Sequence, residues 1–173
     1  TNPTMLFHSP GFILIFLPAT LLIYYALRRV SGRLAIVALI LASLVFYGWW
    51  DPSFVVLLLG SACANYLIGR MLSEKRRQGQ ITKPLLVFGI IANLTLLGFF
   101  KYVDFFIANI NVVTSIDVAT LQIALPLAIS FFTFQQIAFL VDVHAGATED
   151  PVPITYLLFV SFFPQLIAGP IVH

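Results

Sequence analysis

The sequence predicts an all-α, polytopic membrane protein of about six helical segments, each transmembrane or re-entrant. Sixty per cent of the 173 residues are hydrophobic and nine per cent are charged, against about 25% charged in a typical water-soluble domain. So few charges cannot clothe a water-exposed surface, so lipid must cover much of it. The apolar runs also have a suitable length, because about 20 helical residues at about 1.5 Å each cross a bilayer core of about 30 Å. Finally, the basic residues gather in two alternate linkers, the pattern that orients a multi-pass chain in a membrane.

The first segment, 12–27, opens after Pro10-Gly11 and closes at Arg28-Arg29. It is short enough for a signal-peptide core. The flank before it has no positive charge and no small-residue cleavage site follows, so it reads as a retained span. The second, 34–50, carries no charge. The third, 52–69, begins after Asp51, which suits an N-cap. Pro52 suits the first turn, where a missing N–H costs nothing. The fourth, fifth and sixth are 84–100, 121–141 and 154–172. Ser73–Lys83, the longest polar stretch, reads as a cytoplasmic loop. Val103–Thr120 mixes Asp104, Asn109, Asn111 and Asp117 with Phe105 and Phe106. It reads as an outward loop with an interfacial helix.

Of the nine Lys and Arg, all but Lys101 lie between spans one and two or between spans three and four. The positive-inside rule places both linkers in the cytoplasm and the N-terminus outside. Tyr47, Trp49 and Trp50 then form an aromatic belt at the outer interface. The net charge of +2 is thus topological and gives no support for a nucleic-acid partner; the partner that composition implies is the lipid bilayer. The single cysteine, Cys63, excludes an internal disulfide and reads as a packing residue. Met5 reads as the natural start, with residues 1–4 an upstream leader. The end at Gly169-Pro170-Ile171-Val172-His173, without a polar tail, reads as that of the N-terminal portion, 5–173, of a larger helical assembly.

Polar residues inside apolar segments are where function concentrates, since hydrocarbon penalises each unpaired one. Ser61, Asn65 and Gly69 recur every fourth position in span three, as do Gly89 and Asn93 in span four. Such stripes can line a substrate path or permit close helix packing with an amide as glue; packing is the expectation. Span five holds Ser130, Thr133, Gln135, Gln136 and Asp142, with Gln135 and Asp142 seven apart and so on one helix face. Either these residues line a path or Asp142 simply sits at the cytoplasmic interface. In span six, Pro164, Gln165 and Gly169-Pro170 favour a broken or re-entrant segment at a cavity wall over one kinked span. The conduit-lining candidates are therefore Ser130, Thr133, Gln135, Asp142 and Gln165.

No reaction is legible from residue chemistry. His8, His144 and His173 share no metal-ligand spacing, and no carboxylate or Cys cluster accompanies them, so neither a metal nor a cofactor is expected. No phosphate-binding glycine loop or serine nucleophile elbow occurs.

The chain does carry a family's sequence pattern. Met5-Leu6-Phe7, Phe16-Leu17-Pro18, Phe46-Tyr47-Gly48-Trp49-Trp50-Asp51-Pro52 and Asn65-Tyr66-Leu67-Ile68-Gly69 come first. Phe100-Lys101-Tyr102 and Asp104-Phe105-Phe106 follow. The most specific stretches are Leu125-Pro126-Leu127-Ala128-Ile129-Ser130-Phe131-Phe132-Thr133-Phe134-Gln135 and Phe163-Pro164-Gln165-Leu166-Ile167-Ala168-Gly169-Pro170-Ile171. Together they resemble the membrane-bound O-acyltransferase family, most closely its bacterial alginate O-acetylase branch, over the chain after residue 4. Two departures stand out. His144-Ala145-Gly146 replaces a usual Tyr, basic residue and Gly, and Ala128 replaces a usual Gly.

The resemblance implies a multi-pass protein of the bacterial inner membrane that transfers an acyl group, as in acetylation, to hydroxyls of an extracellular polysaccharide such as alginate. It implies an acyl donor or acyl-carrying partner reached from the cytoplasm. It also implies a catalytic His in a Trp-His-Gly segment, which does not occur here, so no catalytic residue is assigned and this portion is expected to be inactive alone. The alternatives are a fragment of a transporter or flippase, which would have a second half of inverted topology, and a non-catalytic structural membrane subunit.

Overall fold

A computed structural model describes residues 12–50, 52–114, 119, 129–148 and 150–162. Its described elements are helices: a π-helical turn over Phe12–Phe16, then α1 (Leu17–Val30), α2 (Gly32–Trp50), α3 (Pro52–Arg77), α4 (Lys83–Thr114), α5 (Ile129–Ala145) and α6 (Pro153–Ser161). The chain is an all-α membrane protein. By length and composition α2, α3 and α4 are long and apolar enough to cross a bilayer; α1, with 14 residues, and α5, with 17, are shorter. The helices run up and down, so the α1–α2 and α3–α4 connections, the end of α5 and the start of α6 share one end of the bundle, here termed the basic end.

Two helices overrun their expected limits. The third segment was expected to stop at Gly69, but α3 continues to Arg77, so Ser73–Arg77 are helical and only a short turn joins α4. No glycine or proline interrupts that stretch, and Arg and Lys are good helix formers. The turn comes at Gly79, whose φ of 68° is left-handed. The Gln80 amide donates to Lys75 O at 2.8 Å and the Gly79 amide to Arg76 O at 3.0 Å, a Schellman cap. The α5 helix ends the same way at Gly146, with Ala147 N–H on Asp142 O at 2.9 Å.

The loop expected from Val103 is also corrected. The α4 helix runs unbroken for 32 residues to Thr114, because nothing after Gly98 breaks it. Its polar side chains satisfy themselves locally, Asn109 Nδ2 donating to Phe105 O at 2.7 Å and Thr114 Oγ1 to Ile110 O at 2.7 Å. Residues 115–118 of that expected loop lie outside the described residues. The fifth segment, expected over 121–141, is described from Ile129 and extends to Ala145. The sixth begins at Pro153 but its helix lasts nine residues, ending at Ser161. The expected break at Pro164 and Gly169-Pro170 lies outside the described residues.

Hydrocarbon gives helices no solvent-driven reason to associate, so steric fit and polar contacts must hold them. Two glycine notches supply the fit. A Cβ on Gly69 of α3 would lie 2.5 Å from the Phe139 ring, and one on Gly89 of α4 would lie 2.7 Å from Leu140. Adjacent α5 residues thus fill notches on two different helices. Phe139 in turn stacks on Tyr156 of α6, centroids 4.3 Å apart. Around this contact the core holds Leu58, Leu72, Phe132, Val143 and Val160, all fully buried.

Two further expectations are corrected. Tyr47 is not part of an aromatic belt, since it is 1% exposed within the core. Two residues correspond to about 200° around a helix, so Tyr47 and the exposed Trp49 face opposite ways. Cys63 is not a packing residue: it is exposed, while its neighbour Ala62 takes the buried position.

Candidate functional site

A hydrogen-bonded amide cluster sits where α3, α4 and α5 meet. Asn65 Nδ2 donates to Asn93 Oδ1 at 3.0 Å and Asn93 Nδ2 returns a bond to Asn65 Oδ1 at 2.6 Å. Gln136 Oε1 accepts from Asn65 Nδ2 and from Ser61 Oγ, both at 2.7 Å. Asn65 Nδ2 also reaches Ser61 O at 2.9 Å, and Asn93 Nδ2 reaches Gly89 O at 2.8 Å. Helical geometry makes this possible: Ser61 and Asn65 on α3, and Gly89 and Asn93 on α4, are each one turn apart. Of the two readings of these stripes, the geometry realises glue between helices. Gln136 is not among the five residues that the sequence marks as conduit-lining. Its shared face with Thr133 and Leu140 was the available signal, and only tertiary structure brings it to Asn65.

The five candidate residues are distributed unevenly. Thr133 is buried on α5, and Ser130 is partly buried near the start of that helix. Gln135 is 6% exposed, yet neither its Oε1 nor its Nε2 has a hydrogen-bond partner. Gln136 Nε2 and the Tyr156 hydroxyl are likewise buried without partners. Asp142 is exposed at the basic end, where with Phe139, Thr155 and Tyr156 it lines a cavity of about 380 Å³. Gln165 lies outside the described residues. Among the described residues, no hydrogen bond joins any two of these candidates. The Gln135–Phe139–Asp142 face instead runs from an unsatisfied buried amide to an open cavity.

The basic end is cross-tied. Tyr66 donates its hydroxyl to Pro151 O at 2.9 Å, Arg77 reaches Asp150 at 3.4 Å, and Thr82 Oγ1 pairs with His144 Nδ1 at 2.8 Å. The Arg76 guanidinium packs directly on Gly146, leaving no room for a side chain there. An α3 cation therefore stands beside the α5 terminus, where the sequence lacks the usual basic residue. His144 is the one histidine among the described residues and has a hydroxyl partner rather than a carboxylate. No group of His, Cys, Asp or Glu among the described residues could hold a metal ion.

These features define a membrane-embedded helical bundle with a polar, hydrogen-bonded interior. No family model matches the chain, and no solved structure does. Curated proteins do. A peptidoglycan O-acetyltransferase of Helicobacter pylori is 42% identical over 98% of this chain and 37% of its own length. Probable alginate O-acetylases AlgI of Pseudomonas aeruginosa and Pseudomonas syringae pv. tomato are 36% and 37% identical, again over 98% of this chain and 33% of theirs. The chain is thus similar over nearly its whole length to bacterial O-acetyltransferases, in keeping with its resemblance to the alginate O-acetylase-like branch of the membrane-bound O-acyltransferases. It spans about a third of the length of these relatives.

Proposed function

We propose that this chain is the N-terminal part of an O-acyltransferase that acetylates hydroxyls of an extracellular polysaccharide, alginate or peptidoglycan. The carrying observation is the 42% identity, over 98% of the chain, to a peptidoglycan O-acetyltransferase. In this reading the protein lies in the bacterial inner membrane with its N-terminus outside and the basic end in the cytoplasm, where an acyl donor or acyl-carrying partner delivers the acetyl group. The clustering of Lys and Arg in alternate connections supports that orientation. Ser130, Thr133, Gln135, Asp142 and Gln165 line a conduit wall. The unsatisfied Gln135 amide supports this, because a buried polar group without a partner needs one.

Acetyl transfer requires a base within about 2.6–3.2 Å of the acceptor hydroxyl. His144, held by Thr82, is not assigned that role; the base comes from a segment outside these residues. The test reconstitutes the full-length protein in vesicles with an acetyl donor and either polymer, beside residues 5–173 alone. Ester-linked acetate on the polymer is expected from the full-length protein and not from residues 5–173. Movement of polymer or donor across the vesicle without ester formation would establish the transporter reading instead.

A further inference from the structure

An open groove of about 910 Å³ lies at the basic end, between the last turns of α3, the Gly79 turn and Asp150-Pro151. Its wall includes Leu67 and Met71, which are 59% and 51% exposed. From Pro52 to Gly69 the helix carries no charge, and those 18 residues rise about 27 Å, close to the thickness of a bilayer core. Arg70 therefore emerges at the interface, with an apolar wall on its membrane side.

The charges in this groove are unevenly committed. Glu74 has both oxygens occupied, Oε1 by Gln78 Nε2 at 2.6 Å and Oε2 by Arg77 Nη2 at 2.7 Å. Asp150 is paired with the same Arg77. Lys75 donates only to the neutral Gln80 Oε1, at 3.2 Å. Arg70 has no hydrogen bond or ion pair among the described residues. Among the described lining residues both carboxylates thus bond to Arg77, Arg70 acts on Glu74 only through space, and three cations face two acids, with Arg70 and Lys75 bonded to no carboxylate.

We propose that this groove binds a membrane phospholipid, its phosphodiester on Arg70 and Lys75 and an acyl chain along Leu67 and Met71. A phosphodiester charge complements the two cations that no described carboxylate bonds, and a guanidinium presents the paired donors that phosphate oxygens accept. The apolar wall beside those cations selects a lipid over a free anion. This site is independent of acetyl transfer.

The test is native mass spectrometry of the full-length protein released from detergent, with dioleoyl phosphatidylglycerol, dioleoylglycerol and inorganic phosphate as separate probes. Phosphatidylglycerol is expected to bind, with dioleoylglycerol and inorganic phosphate much weaker. Arg70→Gln weakens phosphatidylglycerol binding roughly tenfold, the loss of one charge-assisted contact; Met71→Ser also weakens it, while Lys83→Gln outside the groove does not. Undiminished binding by the Arg70 variant overturns the assignment. Equal binding of inorganic phosphate would make this a free-anion site. Retention of an acidic protein in place of lipid would make it a protein-docking surface; either result overturns the lipid.

Discussion

Asn65 and Asn93 exchange hydrogen bonds in both directions across the α3–α4 interface, and Asn65 alone extends the contact to Gln136 on α5. Loss of the two partners should therefore differ. Asn65→Leu removes the bonds to both Asn93 and Gln136, leaving Gln136 only Ser61 and Asn93 only Gly89 O, and is expected to destabilise by about 1–2 kcal/mol. Asn93→Leu, which leaves the Asn65–Gln136 bond, should cost less. Thermal unfolding in detergent measures both, and the double variant should fall short of the sum because the residues share one network. Strict additivity would mean that the cluster does not act as a unit.

Gly69→Ala tests the packing of α5. Its methyl would collide with the Phe139 ring, which cannot swing away freely because it stacks on Tyr156. A loss of about 1–3 kcal/mol is expected. Phe139→Leu in the same chain should recover part of it. A Gly69→Ala protein as stable as the parent would show that the ring relocates at little cost.

Gln135 should separate stability from function. Its amide is buried and unpartnered, so Gln135→Leu removes a desolvation penalty and leaves the melting temperature unchanged or higher. If the residue lines the proposed conduit, ester-linked acetate formed by the full-length protein should fall at the same time. Phe134→Leu, on the exposed side of α5, should leave transfer intact. A Gln135→Leu protein with parental activity removes this residue from the conduit.

The proposed orientation is checked at Gln78, which is exposed in the turn after α3. In a Cys63→Ala background, Gln78→Cys should resist an impermeant maleimide applied to intact cells and react once the membrane is opened. Labelling from outside would invert the topology.

The helices were legible because length and apolarity are local properties. The Ser61–Asn65–Gly69 and Gly89–Asn93 stripes were legible because one-turn spacing is too. The overruns of α3 and α4 were not, since polarity was read as loop. Charged and amide residues continue a helix wherever no breaker intervenes and their groups find solvent or a carbonyl one turn back, as Asn109 and Thr114 do. Nor could the sequence show that Tyr66 meets Pro151, or that Arg76 comes to rest on Gly146. Those contacts depend on how distant turns assemble at one end.

The length of α4 ties this protein to the thickness of its membrane. Thirty-two residues extend about 48 Å, against a hydrocarbon slab of about 30 Å. Its start is held at the basic end, where the preceding Thr82 pairs with His144, so the surplus must emerge at the far side. Phe105, Phe106, Val112 and Val113, all strongly exposed, lie in that surplus. A thicker bilayer would sheathe more of these side chains and a thinner one would leave more of them wet, so hydrophobic mismatch acts on this one helix more than on its neighbours.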